Sequence, residues 1–455
     1  MSLKLRQYLR KCSEVTHTTI DPYRKNAVRI HLVPPAKRSP GIPWVLILNG
    51  QDILPLNTSW AVLLREFIGA VNAHAGKVLD APLLKDCIGE TVRRMLEIFP
   101  RTDEKVIRAD LAAIVRVITA VGAGNPPDAD TGYMTLAEYA PYMRSPHRMD
   151  FMVSAMTKNG CWNCNQKCLH CYAAGQPMSE MQEMTTEQWK QAIDRLRREW
   201  VTQVTFTGGE PTLRSDLPEL VAHASWFVTR LNTNGILLTP ELCRRLMEAS
   251  LDSVQVTLYA CDADIHNRLV GAGQFEKTVA GIRSAVEAGL NVSVNTPLCS
   301  LNTEYNRLLE FCRDLGVKYF SCSGLIPTGG AAQADSVATR LDASTLEGIL
   351  RGAMAYCRKN ELDLNFTSPG WLSDKVLRSM GLNPPACGAC LSNMAVAPDG
   401  TVVPCQSWLN GTALGNILET PWEKIWNHPE AAAIRSRAVE PDKKCLLWTE
   451  GGGAR

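Results

Sequence analysis

Between residues 148 and 325, six apolar, strand-like runs alternate with amphipathic helix patterns. The runs fall at 149–156, 202–206, 227–231, 253–258, 291–296 and 317–322, and helix-period stretches lie between them at 186–200, 240–249, 275–288 and 303–315. This alternation predicts an α/β fold, an all-parallel sheet joined by right-handed crossovers. Six units are too few for a closed eight-unit barrel. In parallel barrels the chemistry gathers at the C-terminal ends of the strands, which directs attention to the loops that follow them.

The loop after the first run reads Cys164-Asn165-Gln166-Lys167-Cys168-Leu169-His170-Cys171-Tyr172, with the spacing C-x3-C-x2-C. Three thiolates on so short a loop cannot pair as disulfides without leaving one over. They can hold three irons of a cubic [4Fe-4S] cluster and leave the fourth iron open to a ligand. A zinc site or unrelated thiols are the alternatives from this loop alone. After the second run comes Thr207-Gly208-Gly209-Glu210-Pro211. The two glycines let backbone approach a ligand closely, and the carboxylate can accept from an ammonium group.

Taken together, the cysteine loop, the aromatic Tyr172 after it and the Gly-Gly-Glu turn resemble the signature of the radical S-adenosylmethionine (radical SAM) enzymes. The resemblance implies a partial (β/α)6 barrel in which the amino and carboxylate groups of SAM chelate the open iron. It implies reductive cleavage of SAM to methionine and a 5′-deoxyadenosyl radical that abstracts hydrogen from substrate. It assigns Gly208, Gly209 and Glu210 to the methionine end of SAM. Softer matches are Asn232 in the turn after the third run, Thr257 at the end of the fourth and Asn295 at the end of the fifth. Arg268 in His266–Gly271 and the turn Leu325–Gly329 complete the set. Ordinary turn chemistry is the competing reading for each of these. Cys261, Cys299 and Cys322 fall at or just after run ends and are candidate hydrogen-atom donors to a substrate radical. The competing reading is a small buried side chain.

Beyond residue 340 cysteines bunch again, as Cys387-Gly388-Ala389-Cys390 followed by a Pro398-Asp399-Gly400 turn and Cys405. A hairpin at that turn returns Cys405 to the first pair. The spacing C-x9-G-x4-C of Cys390, Gly400 and Cys405 resembles the SPASM/twitch extension of radical SAM enzymes. With Cys445 this implies one auxiliary [4Fe-4S] cluster on Cys387, Cys390, Cys405 and Cys445. The later cysteine run of a full SPASM domain is absent, and Trp448 stands where a further cysteine would be expected. A zinc ion on the same four thiolates is the alternative.

Residues 26–135 show two strand-like runs, 27–33 and 44–48, and then three helix patterns at 58–73, 83–99 and 103–121. This small α+β, winged-helix-like order resembles the recognition element that binds leader peptides in ribosomal peptide maturation, where the leader adds as a strand to a sheet edge. An accessory domain that only packs on the barrel is the competing reading. Residues 1 to about 40 read as an irregular, Pro-rich lead-in.

The 455 residues suit three domains, expected at 1–135, 148–335 and 340–455. A net charge of +2 argues against nucleic-acid or polybasic membrane partners. No apolar run approaches membrane-spanning length and no signal-type segment follows Met1, so a cytoplasmic protein is expected. Sixteen cysteines in that compartment are metal ligands and buried thiols rather than disulfides. Cys12, Cys87, Cys243, Cys312 and Cys357 are expected in the core. The leading expectation is a radical SAM enzyme that crosslinks or epimerises a ribosomally made peptide and draws electrons from a flavodoxin or ferredoxin. A radical SAM dehydrogenase or epimerase acting on a small molecule is the alternative. A non-catalytic iron-sulfur electron carrier is a third reading, against which the Gly-Gly-Glu turn stands.

Overall fold

The computed structural model describes residues 3–20, 27–36, 42–50, 52–75, 77, 79–122, 125, 134–438 and 445–450. It divides into two compact units. One comprises Met1–Ser145 with Arg197–Thr202 and Trp226–Val228; the other holds Pro146–Leu196, Gln203–Ser225 and Thr229–Arg455.

The first unit opens with α1 (Leu3–Arg10) and an antiparallel sheet in the order β1 (Thr16–Ile20), β2 (Val28–Val33), β3 (Trp44–Leu48), β4 (Asp52–Leu56). Helices α2 (Thr58–Asn72), α3 (Ala81–Ile98) and α4 (Glu104–Gly122) follow. Asn57 and Asp80 cap α2 and α3 by accepting from the backbone N–H of Trp60 and Leu83. Alternate residues explain why β2 and β3 are buried throughout. Ile30, Leu32, Leu46 and Leu48 join the helices in one core, while Val33, Val45 and Ile47 pack with Tyr139 of α5 (Leu136–Tyr139) on the other face. The lead-in differs from expectation, since α1 and β1 are ordered elements. The polar β1 sequence Thr-His-Thr-Thr-Ile gave no apolar alternation to read. Both sheet edges are partly engaged. The Ile53 carbonyl of β4 accepts from Met134 N (2.9 Å), and the outward-facing Pro55 has no N–H. On β1, the His17 carbonyl accepts from Asn72 Nδ2 (2.8 Å).

The second unit is built on one ten-stranded sheet. Its strands are β5 (Arg148–Ser154), β8 (Gln203–Gly208), β9 (Val228–Thr233), β10 (Ser253–Thr257), β11 (Asn291–Pro297), β12 (Tyr319–Ser323), β13 (Asp363–Phe366), β14 (Asn393–Val396), β15 (Thr401–Val403) and β16 (Gly415–Asn416). The spatial order is β13-β12-β11-β10-β9-β8-β5-β14-β15-β16, and a separate hairpin, β6 (Thr157–Lys158) with β7 (Cys161–Trp162), follows β5. Parallel registers run from β9 through β13 and from β8 through β5 to β14. Each of the six expected strands is present. Connecting helices are α6 (Thr186–Arg198), α7 (Leu217–His223), α8 (Pro240–Glu248), α9 (Ala263–Val270), α10 (Phe275–Glu287), α11 (Tyr305–Asp314), α12 (Ala334–Val337) and α13 (Ala343–Lys359).

Two features mark the chain beyond residue 340. The parallel sheet continues into β13, and β14 pairs in parallel with β5. The C-terminal cysteine region therefore shares a unit and a sheet with the barrel. Within the barrel strands, Val204, Val254, Val256, Val292, Val294 and Phe320 are buried in the core. Thr205, Gln255, Ser293 and Ser321 alternate with them and point the other way, into the lumen. The lumen is thus lined with small polar groups; Gln255 Nε2 donates to Ser321 Oγ (3.2 Å), which donates to Asn295 Oδ1 (2.9 Å).

Candidate active site

The cysteine loop crosses the C-terminal end of β5 and is clasped by its neighbours. Lys167 N and Leu169 N donate to Val270 O and Leu269 O (both 2.9 Å), Gly330 N donates to Cys171 O (2.7 Å), and Trp162 Nε1 donates to Gln166 O (2.8 Å). Gly271, which ends α9 at φ 63°, has to be glycine: a Cβ there would lie 2.5 Å from Lys167 O.

Burial pushes the Cys164 thiol up to about 12 and the Cys168 and Cys171 thiols upward as well, and the nearby Cys171 sulfur adds to the rise at Cys164 and Cys168. Backbone amides of Asn165 and Gln166 point at the Cys164 sulfur, and those of Ala173 and Ala174 at Cys171. The buried Asn165 Nδ2 and Gln166 Nε2 have no hydrogen-bond partner. Desolvated thiols, converging N–H donors and unsatisfied amides form a cradle that suits an anionic iron-sulfur cube. Iron binding removes the thiol protons, and amide donors to sulfur stabilise the charge. Among the described residues, no three His, Cys, Asp or Glu side chains converge to hold a single metal ion. A cube does not need that arrangement, because each thiolate binds a different corner.

The Gly-Gly-Glu turn lies against the same loop. Gly208 has φ 139°, and a Cβ there would meet Ser154 O at 2.4 Å. Gly209 O lies 3.3 Å from Cys164 Sγ. Glu210 is only 2% exposed. Its Oε1 accepts from Thr212 N, Thr212 Oγ1 and Thr233 Oγ1, and its Oε2 accepts from Asn234 N (2.9 Å). Burial raises its carboxyl pKa against these hydrogen bonds, which lower it, and burial prevails. The carboxylate therefore ties the end of β8 to the end of β9, and Oε2 keeps the spare acceptor position. Asn234 Nδ2 in turn donates to Asn165 Oδ1 (2.5 Å) on the cysteine loop.

The other expected contacts are placed unevenly. Asn232 pairs in register with Gln255, and Thr257 with Asn295, all on the lumen side. Tyr172 bonds through its hydroxyl to Thr207. Arg268 is exposed on α9.

The auxiliary cysteines converge. Cys387 and Cys445 share a thiol hydrogen bond that draws Cys387 down to about 6, while Cys405 feels both Cys387 and the lumen residue Asp150. Amides of Ala389 and Leu446 point at Cys387, those of Ser407 and Trp408 at Cys405, and that of Leu447 at Cys445. Cys390 sits at φ 55°, a strained conformation for a non-glycine residue. Its carbonyl accepts from Arg435 Nη1 (3.0 Å), and the Arg435 guanidinium stacks 3.8 Å over the Trp426 ring. The donor set suits a second cube with all four corners held.

Of the three candidate hydrogen donors, Cys322 does not face the lumen, which corrects the expectation for that residue. Cys322 alternates with the lumen residue Ser321, so its fully buried thiol meets Tyr305 at the start of α11 and Cys357 of α13. Cys299 is enclosed behind the loop with Tyr259 and Leu269. Cys261 lies by the charged groups of Asp262, Glu304 and Arg307. Strand-end position was visible in the sequence; strand phase decides which face a side chain takes, and it points the Cys322 thiol away from the lumen. Sequence reasoning missed Ser154, which accepts from Glu210 N (3.1 Å), and Gln176 and Arg435, which bond the cysteine-bearing loops. None belongs to a spacing motif.

Residues 163–327 match the radical SAM superfamily model, and residues 387–446 match the SPASM iron-sulfur cluster-binding domain. The chain thus carries a radical SAM domain and, C-terminal to it, a SPASM iron-sulfur cluster-binding domain. Its cofactors are S-adenosylmethionine and two [4Fe-4S] clusters. The chain is 28% identical over 301 residues to an AdoMet-dependent heme synthase of Methanosarcina barkeri, which covers 62% of this chain and 84% of that protein. In fold it resembles Streptococcus suis SuiB bound to its precursor peptide SuiA, with TM-score 0.57 and 15% identity over 87% of each chain. It also resembles anSMEcpe with bound AdoMet, with TM-score 0.51 and 18% identity over 64% of this chain and 84% of that one. No helix among the described residues is long and apolar enough to cross a membrane.

Proposed function

We propose that this chain is a radical SAM enzyme that modifies a ribosomally made peptide, by crosslinking it or by inverting a residue. The observation that carries the reading is the extent of the fold match. The heme synthase leaves more than a third of the chain unmatched, whereas the match to peptide-bound SuiB spans 87% and so takes in most of the N-terminal sheet and helices. A leader strand would add along β1, because Pro55 and the Met134–Ile53 bond blunt β4.

When bound, the reduced primary cube supplies SAM cleavage and hydrogen abstraction. Cys164, Cys168 and Cys171 would hold that cube. Gly208 and Gly209 bring backbone to the methionine end of SAM, with the spare position on Glu210 Oε2 beside them. Asn232, Thr257 and Asn295 line the wall along which the rest of SAM and the substrate lie. Cys387, Cys390, Cys405 and Cys445 hold the auxiliary cube. A flavodoxin or ferredoxin supplies electrons, and the free thiols and cubes suit a reducing cytoplasm.

The heme-synthase likeness favours a second reading, a small-molecule substrate in the same polar lumen. Co-expression with any short peptide found encoded beside the gene, followed by mass spectrometry, separates the two. Loss of two hydrogens or solvent deuterium at one residue is expected. An unmodified peptide, with a small molecule consumed instead, overturns the peptide reading.

A further inference from the structure

We propose that Gln176 is a positioning strut that fixes the spacing, and so the electronic coupling, of the two cluster sites. The proposal rests on the two-cluster reading above and adds a residue to it. Gln176 is 4% exposed. Its carboxamide Nε2 donates to the Tyr172 carbonyl and to the Ser407 carbonyl (3.2 Å), and its Oε1 accepts from Leu409 N (3.2 Å). Tyr172 directly follows Cys171, and Ser407 lies two residues after Cys405. One side chain therefore ties the last ligand of the open cube to a ligand loop of the closed cube.

The surroundings hold the strut in place. Ser179 Oγ donates to Ala173 O (2.6 Å) and Gln176 O (2.7 Å), fixing the turn that carries Gln176. Met178 N donates to Leu409 O (3.1 Å), and Met156 N to Ser179 O (2.8 Å), so the turn is pinned to both the Cys405 loop and the end of β5. The Ser407 amide that Gln176 helps to place also points at the Cys405 sulfur. Movement of this bridge would shift a sulfur-directed donor and change the distance between the cubes.

The chemistry requires a primary amide. It offers two donors for two carbonyls and one acceptor for an amide N–H. Glutamate would present acceptors to both carbonyls, and methionine would keep the volume but lose all three bonds.

The test compares wild type with Gln176→Met and Gln176→Glu in the reconstituted, fully reduced protein. Iron and sulfide are counted, the magnetic interaction between the two reduced cubes is read from electron paramagnetic resonance, and product is measured per 5′-deoxyadenosine formed. Both variants are expected to retain both cubes, to show a changed interaction splitting or broadening, and to give about tenfold less product per SAM cleaved, the scale of a small misplacement of reacting partners. Unchanged spin interaction and unchanged product ratio overturn the strut. Loss of a cube in both variants also overturns it, since Gln176 would then support assembly rather than spacing. Wild type carrying fewer than two cubes fails on iron count alone, and this separates a failure of the two-cluster reading from a failure of the strut.

Discussion

The two cysteine sites of this molecule are assembled in opposite ways. Cys164, Cys168 and Cys171 lie on one short loop that carries its own amide donors, and the remaining nearby thiol, Cys161, is exposed on β7. Cys387, Cys390, Cys405 and Cys445 come from a bend, a hairpin and a terminal turn, and meet only because β14 and β15 pair on the edge of the barrel sheet. A site with a vacant corner binds and cleaves a ligand, while a site with every corner held passes electrons and keeps its geometry. The barrel places the three-cysteine loop at the C-terminal ends of its strands. The added strands anchor the closed site beside it.

Replacing Cys164, Cys168 and Cys171 together by alanine gives the largest effect. SAM cleavage should vanish, and iron should fall from about eight to about four per chain while the auxiliary signal persists. Residual 5′-deoxyadenosine would break the division of labour between the sites. Cys445→Ala tests the other half. Cleavage of SAM without substrate should stay within about twofold of wild type, and product should fall roughly 100-fold, on the scale by which metal-site support alters activity. Equal losses in both readouts would show that the closed site also serves cleavage.

The difference in assembly also decides what the sequence could reveal. The three-cysteine loop was legible because its thiols sit within one spacing motif after one apolar run. The barrel was legible because valines alternate with polar residues, as in Ser253–Thr257 and Asn291–Pro297, between amphipathic helices. The short α7 and α9 offered too few turns to show a period, and polar β1 showed none. The pairing of β14 with β5 joins strands far apart in the chain, which no local pattern records. Gln176 and Arg435 belong to the same class, since their roles depend on what folding brings near them.

Arg435 sharpens the contrast further. Amides reach the sulfurs of Cys387, Cys405 and Cys445, whereas Cys390 has a guanidinium beside it. A fixed positive charge favours the more negative, reduced cube. Arg435→Met, which keeps much of the stacking volume on Trp426, should lower the auxiliary midpoint by about 50 mV, close to the 59 mV of a tenfold change for one electron. The primary cube should not move. An equal shift of both cubes would mean that Arg435 acts through the fold rather than on its neighbour.

Cys322→Ala gives the smallest effect and marks the line between cluster thiols and packing thiols. Its sulfur is fully buried against Tyr305 and Cys357, and desolvation holds the thiol far above its ordinary range, so it is neither ionised nor aimed at the lumen. Removing it leaves a small void, at a cost of about 1 kcal/mol. Thermal stability should fall by a few degrees, and product per SAM cleaved should stay within about twofold of wild type. A variant that still cleaves SAM but makes no product would place this thiol in the chemistry after all, and would require β12 to turn its other face to the lumen during turnover.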